Sequence, residues 1–232
     1  IHVLGIGSML LRRILFVKAV PSVSWSAHHP LILKPKFSTL AALFSGLTIF
    51  GVGEAMLIAA GAGVSPWTVL AQGIALVTGL SIGWATFFVS LVVLLSWIPL
   101  KQIPGIGTVA NVVIVAIAIG MSLYYLPTPE SFFFKILQSV FGILMVGLGS
   151  GFYLIANLGA GPRDGLMTGL QRITNSPIAW VRALIEIIVV VCGWILGGSV
   201  GLGTIMFALG IGPAVSIGLF TVNHFSPEAN EL

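Results

Sequence analysis

Charge is what this chain has least of. Of its 232 residues, 7% are Asp, Glu, Lys or Arg and 57% are hydrophobic. Soluble domains carry about 25% charged residues, so a soluble fold of this length has no means of hiding so much apolar surface. Cysteine is nearly absent: Cys192 stands alone in an apolar run, which excludes a disulfide framework and a thiolate metal cage and reads as inert packing. His2, His28, His29 and His224 all lie outside the apolar runs, and there is no HExxH, GxSxG or paired Cys/His ligand set. Enzyme chemistry, a bound metal and a resident cofactor are therefore not expected. No basic stripe or aromatic platform exists, so a nucleic-acid partner is not expected either.

What the chain does have is long uncharged runs. Residues 40–60 hold one acid and no base, and residues 82–100 hold no charge. Each approaches the ~20 residues needed to cross a ~30 Å hydrocarbon core. A β-barrel would alternate apolar and polar residues in short segments, and this chain does not. The expected class is an all-α polytopic membrane protein whose main partner is the lipid bilayer. Glycine supplies 29 residues, as expected where small residues let helices approach in lipid. Gly193, Gly197 and Gly201 have the spacing of such a stripe.

Sliding the chain against itself by 96 positions aligns residues 44–123 with 140–219 without a gap. Gly51/Gly147, Gly53/Gly149, Gly63/Gly159, Pro66/Pro162, Gly73/Gly169, Trp84/Trp180, Gly105/Gly201 and Thr108/Thr204 are among the identities. Apolar composition alone does not put Pro, Trp and paired Gly in one register, and a repeat fixes architecture before any local feature does. Each half predicts a long helix (40–60, 137–156), a short one (66–78, 162–174) and two more long ones (82–100 and 106–125; 180–197 and 203–222). About 13 residues reach only ~20 Å, too short to span. That leaves six transmembrane helices in two three-helix repeats, each with an extra short helix after a Gly-rich turn. Three is odd, so the second repeat is expected to be inverted.

The bases agree with that topology. With a cytoplasmic N-terminus, Arg12, Arg13, Lys18, Lys34, Lys36, Lys101, Arg163, Arg172 and Arg182 fall inside and Lys135 alone falls outside, a strong positive-inside bias. The expected organisation is an N-terminal cytoplasmic segment at 1–37, repeats at 38–127 and 128–223, and a cytoplasmic tail at 224–232. For segment 1–37 the two readings are an amphipathic surface stretch and a start displaced from the true one.

The turns themselves read as stop–turn–restart joints. Gly61 aligns with Asn157, the two residue types that best tolerate a left-handed helix end. Ser65 aligns with Gly161 as N-caps, and Pro66 and Pro162 fit the first helical position. Trp67 and Arg163 fit the membrane interface. The same parts also make an anion site, because a glycine-rich turn feeding a helix N-terminus presents free N–H groups. Thr68 and Gln72 form a polar stripe on one short helix, Asp164 and Thr168 on the other. Thr86 and Ser90 align with Arg182 and Glu186, each pair on one helical face. Arg182 and Glu186 also read as a snorkelling ion pair at the membrane edge. Glu54 is an acid inside the first span, expensive in lipid and by default a functional candidate. Its counterpart is Ser150.

"GAGVSPWTVLAQG" and "NLGAGPRDGLMTGL" resemble the YczE/YyaS/YitT family of bacterial integral membrane proteins, nearest the YczE branch, over residues 35–222. The resemblance implies a bacterial inner-membrane protein and little about activity. In that branch the first motif reads SPWD, and Thr68 stands here where that Asp would be. The expected function is transport of a small solute at a site between repeats, built from Glu54, Thr68, Gln72, Arg163, Asp164, Arg182 and Glu186. Gly61, Gly63, Pro66, Asn157, Gly159, Gly161 and Pro162 form its structural frame. Both charge signs suit a zwitterion or a small organic anion. The alternatives are an inverted-repeat channel and a membrane-embedded accessory or regulatory protein.

Overall fold

The computed structural model describes residues 20–226. Within them lie helices α1 (Phe37–Ala60), α2 (Pro66–Thr78), α3 (Ile82–Leu95), α4 (Trp97–Leu100), α5 (Ile106–Tyr125), α6 (Phe132–Ala156), α7 (Pro162–Thr174), α8 (Ile178–Ile195) and α9 (Leu202–Phe225). The N-terminal bases Arg12, Arg13 and Lys18 and the last six residues lie outside the described residues. Among the described residues, six stretches are long and apolar enough to cross a membrane, with α3 and α4 counted as one span. The protein is an all-α multi-pass membrane protein. The break at Ser96 within residues 82–100 has a local cause. Pro99 has no N–H to give the carbonyl four residues back, and the chain closes on itself through Gln102 N–H to Trp97 O at 3.1 Å.

Helices α1 and α6 form the centre, with α5 packed on α1 and α9 on α6. α1 and α6 cross antiparallel through small residues. A Cβ on Gly46 would lie 2.9 Å from Gly149 O, and one on Gly53 would lie 2.7 Å from Gly142 O. In lipid there is little hydrophobic drive between helices, so such close backbone approach carries the packing. The short helices cross over: α2 packs chiefly on α8, and α7 packs on α3 and α4. The start of α6 therefore lies at the end of α1, which puts Lys135 at the opposite end of the bundle from Lys36. Arg172 donates from Nη2 to Leu100 O at 2.6 Å, so Arg172 and Lys101 share one end.

The joints take the backbone that their residue types suggest. Gly61 and Asn157 end their helices in the left-handed region, at φ 64° and 52°. Gly63 and Gly159 repeat it at φ 108° and 112°. Ser65 and Gly161 sit at extended N-cap positions, with Pro66 and Pro162 first in α2 and α7. The joint carbonyls are met by the opposite half. Gly203 N–H donates to Ala62 O and Gly107 N–H to Leu158 O, both at 2.7 Å. Thr108 Oγ1 donates to Ala160 O at 2.7 Å.

Several expectations change. The Gly193–Gly197–Gly201 spacing is not one helical stripe. Gly193 receives the backbone of Leu70, Gly197 turns at φ 97° after α8, and Gly201 is the N-cap of α9. Cys192 is exposed rather than packed. His224 falls in the last turn of α9, stacked on Phe220. Residues 20–36 are part of the packed body: Val23, Ser26 and Ala27 are buried. Asn157 Nδ2 donates to Ala27 O at 2.8 Å, tying this segment to the second joint.

Gly159→Val and Gly63→Val should each prevent stable folding. The φ values disfavour any side chain, and the new Cβ would lie 2.7 Å from Thr108 Oγ1 or 2.6 Å from Gly201 N. Pro66→Ala and Pro162→Ala should melt close to the parent, since the first helical position does not require proline. Yield and thermal melting in detergent check both; a Gly63→Val protein that melts like the parent contradicts this account of the joint.

Candidate functional site

The first turns of α2 and α7 point their side chains at one another. Trp67 and Arg163 hold equivalent places in the two motifs, and the Arg163 guanidinium lies over the Trp67 ring, 5.3 Å from its centroid. Trp67 is buried among Val89, Val93, Met167 and Val189, not placed at an interface. Neither helix start has a side-chain cap, so first-turn N–H groups and both positive dipole ends stay open toward this point.

A cavity of about 230 Å³ opens there, walled by both halves. The first half brings Ser65, Pro66, Trp67, Ser90 and Asn111; the second brings Ser150, Tyr153, Arg163, Asp164, Arg182 and Glu186. Phe50, Val115, Val146, Met167, Phe207 and Ile211 make the wall largely apolar. Tyr153 Oη donates to Asp164 Oδ2 at 2.9 Å. Arg182 Nε and Glu186 Oε1 form an ion pair at 2.9 Å, with their side chains 54% and 29% exposed. It is the one ion pair among the described residues. Desolvation pushes the Arg163 guanidinium down from its ordinary value, while Glu54, Asp164, Tyr153 and Glu186, in that order, favour its charged form.

Glu54 lies behind the wall, fully buried. Its Oε2 accepts from Ser65 Oγ and Thr68 Oγ1, each at 2.8 Å. Its Oε1 has no hydrogen-bond partner among the described residues, and neither has the buried Thr86 hydroxyl. Ser65 occupies the N-cap place but caps no backbone N–H; its hydroxyl meets this acid and, at 2.9 Å, the Thr68 hydroxyl. The contact with Thr68 brings a carboxylate to the third residue of α2, the place that Asp164 fills by itself in α7.

Of the sequence candidates, Arg163, Asp164, Arg182 and Glu186 come together at the cavity, with Glu54 and Thr68 one layer back. Gln72 does not join them. Its Oε1 accepts from Ser199 N–H at 3.0 Å, outside the cavity. Thr168 is exposed and bonds its own turn at Gly165 O. No cluster of three or more His, Cys, Asp or Glu suited to a metal occurs among the described residues.

A family of unknown function, DUF6198, matches residues 37–219. The chain belongs to this family. An uncharacterized protein of Haemophilus influenzae is 41% identical over 199 residues, 86% of this chain and 90% of that one. The uncharacterized membrane protein YczE of Bacillus subtilis is 32% identical over 168 residues, 72% and 78% of the two chains. The uncharacterized protein YyaS of the same species is 24% identical over 165 residues, 69% and 82%. No solved structure matches. The DUF6198 match runs from the first residue of α1 into the last turns of α9, so it takes in both joints and every residue named at the cavity.

Sequence reasoning on this DUF6198 chain did not single out Tyr153, Asn111, the bond from Ser65 to Glu54 or the burial of Trp67. One signal was available. Tyr153 is the only phenol in α6 and stands one turn before the joint at Asn157, on the side of the helix that meets the restart.

Asp164→Asn should lower stability by about 1 kcal/mol, from the dipole and the charged hydrogen bond together. Tyr153→Phe should cost a similar amount, and the double variant should lose less than the sum of the two. Glu54→Gln should melt at or above the parent temperature, because a buried carboxylate with no cation at ion-pair distance is costly. Additive losses at 153 and 164, or an unfolded Glu54→Gln protein, would contradict the geometry.

Proposed function

We propose that this protein carries a small solute across a bacterial cytoplasmic membrane, with the cavity between α2 and α7 as its site. The observation that carries this reading is a cavity with charged walls drawn from both halves inside a six-span bundle. Inverted-repeat transporters hold substrate near the midplane, where short or broken helices present their N-termini. The antiparallel crossing of α1 and α6, the exchanged joint hydrogen bonds and the crossed packing of α2 and α7 all support two inverted three-helix repeats. So does the sharing of one end by Lys101 and Arg172 away from Lys135, with that end and both termini cytoplasmic. The motif GAGPRDGLM supports reading the chain as nearest the YczE branch of its relatives. Glu54, buried and without a cation, suits a coupling role better than solute contact.

Single cysteines in a Cys192→Ala background test the topology. Leu80→Cys, after α2, should react with an impermeant thiol reagent from outside. Thr174→Cys, at the end of α7, should react only after permeabilisation. Labelling of both from one side overturns the inverted repeat. Function is tested at the cavity wall: Ser150→Cys in oriented vesicles should react with a small thiol reagent offered from either side, as alternating access requires. Reaction from neither side favours an accessory protein. Solute flux that fails to saturate favours a channel.

A further inference from the structure

The charges of the cavity say which solute it accepts. Arg182 and Glu186 cancel each other at 2.9 Å. Asp164 has only the Tyr153 hydroxyl. Arg163, in contact with the Trp67 face, has no acid at ion-pair distance among the described residues. The four charged side chains of the wall thus sum to zero, while Arg163 and Asp164 are each left outside any ion pair. Behind the wall stands Glu54 at the start of α2, whose dipole end of roughly +0.5 charge offsets part of its charge. A solute of net charge would leave the cavity charged in a low-dielectric setting, where an uncompensated charge is expensive. A solute carrying both signs leaves it neutral and meets both unpaired groups.

From this we infer that the site takes a small amphiphilic zwitterion, of the kind an apolar α-amino acid presents. Its carboxylate lies against Arg163 and the open N–H groups of the facing helix starts; its ammonium lies toward Asp164. The helix starts fix that polarity, since they favour an anion. The size follows from the volume. A cavity of about 150 Å³ admits benzene, and this one has about 230 Å³. That is room for a leucine-sized molecule, with Phe50, Met167 and Phe207 available to its side chain. The inference rests on the reading of this cavity as a solute site.

The test is thermal melting of the purified full-length protein in detergent, since a ligand bound only by the folded state raises apparent stability by mass action. The probes are leucine, valine and phenylalanine, each run beside its carboxylate half (for leucine, 4-methylpentanoate) and its amine half (3-methylbutylamine). At least one zwitterion should raise the melting temperature, and each of its halves should bind about tenfold more weakly or worse. Arg163→Gln should abolish the zwitterion's shift while leaving any shift by the amine half in place, and Arg163→Lys should recover part of it. The melting temperature of each variant without probe establishes that it is folded.

A carboxylate half that matches its zwitterion overturns the inference in favour of a simple anion site. An amine half that matches does so in favour of a cation site, and no shift from any zwitterion overturns it outright. Uptake into vesicles separates this inference from the transport reading. A zwitterion that binds but never crosses overturns transport and leaves the site. Saturable flux of another solute that no zwitterion inhibits overturns the site and leaves transport.

Discussion

Two carbonyl oxygens constrain this fold more than any side chain. Where α1 and α6 stop, Ala62 and Leu158 leave the helical ladder. Backbone carbonyls outside a ladder in a packed protein need partners of their own. Each oxygen takes its hydrogen bond from the start of a helix in the opposite half, Gly203 for Ala62 and Gly107 for Leu158. The partners have to be glycine-rich: a Cβ on Gly63 would strike Gly201, and one on Gly159 would strike Gly105. Neither half can satisfy its own joint, so the two are interlocked by backbone. The short helices then restart toward the centre, and the cavity is the space between them.

Within this near-symmetric frame the chemistry is asymmetric. The second half keeps its acid on the short helix, as Asp164. The first half keeps Thr68 there and brings an acid in from α1, as Glu54. The two carboxylates reach equivalent helix starts, yet their surroundings differ. Asp164 is on the cavity wall with a phenol donor. Glu54 is sealed behind Ser65 with one oxygen unpartnered. Equivalent positions with unequal solvent access thus leave one acid within reach of a molecule in the cavity and the other out of its reach.

Much of this was legible in the sequence because few residue types do what the joints need. Gly or Asn at a left-handed helix end, and Pro opening the next helix, leave a signature that survives apolar composition. The short helices run over the expected residues, 66–78 and 162–174, because their signals are steric and local. The site was legible only where charge marked it: Arg163, Asp164, Arg182 and Glu186 converge. Gln72 stands apart because helical periodicity puts it on one face with Thr68 but does not say what that face meets, and Ser199, in the turn after α8, takes it. Ser65 reads as a cap until Glu54 is seen within 2.8 Å of it. Trp67 reads as an interfacial anchor until α8 and α7 are seen to cover it. These are tertiary facts, set by contacts between residues 11 to 127 apart in the chain, and no local pattern carries them.

The interlock also limits how such a bundle can move. α1, α6, α5 and α9 are joined through glycine backbones at near-contact distance, and packed interfaces of that kind are not continuously deformable. α2 is held to α8 through Gly73 and Gly193, while α7 is held to α3 and α4 through Gly165 and Trp97, whose Nε1 donates to Pro162 O at 2.9 Å. α2 also packs on α3 and α7 on α8, so each short helix touches long helices of both halves. Between the two short helices lie the Trp67–Arg163 contact and the cavity. Any molecule held by Arg163 would therefore touch the place where the two short helices meet, and so bears on both halves at once.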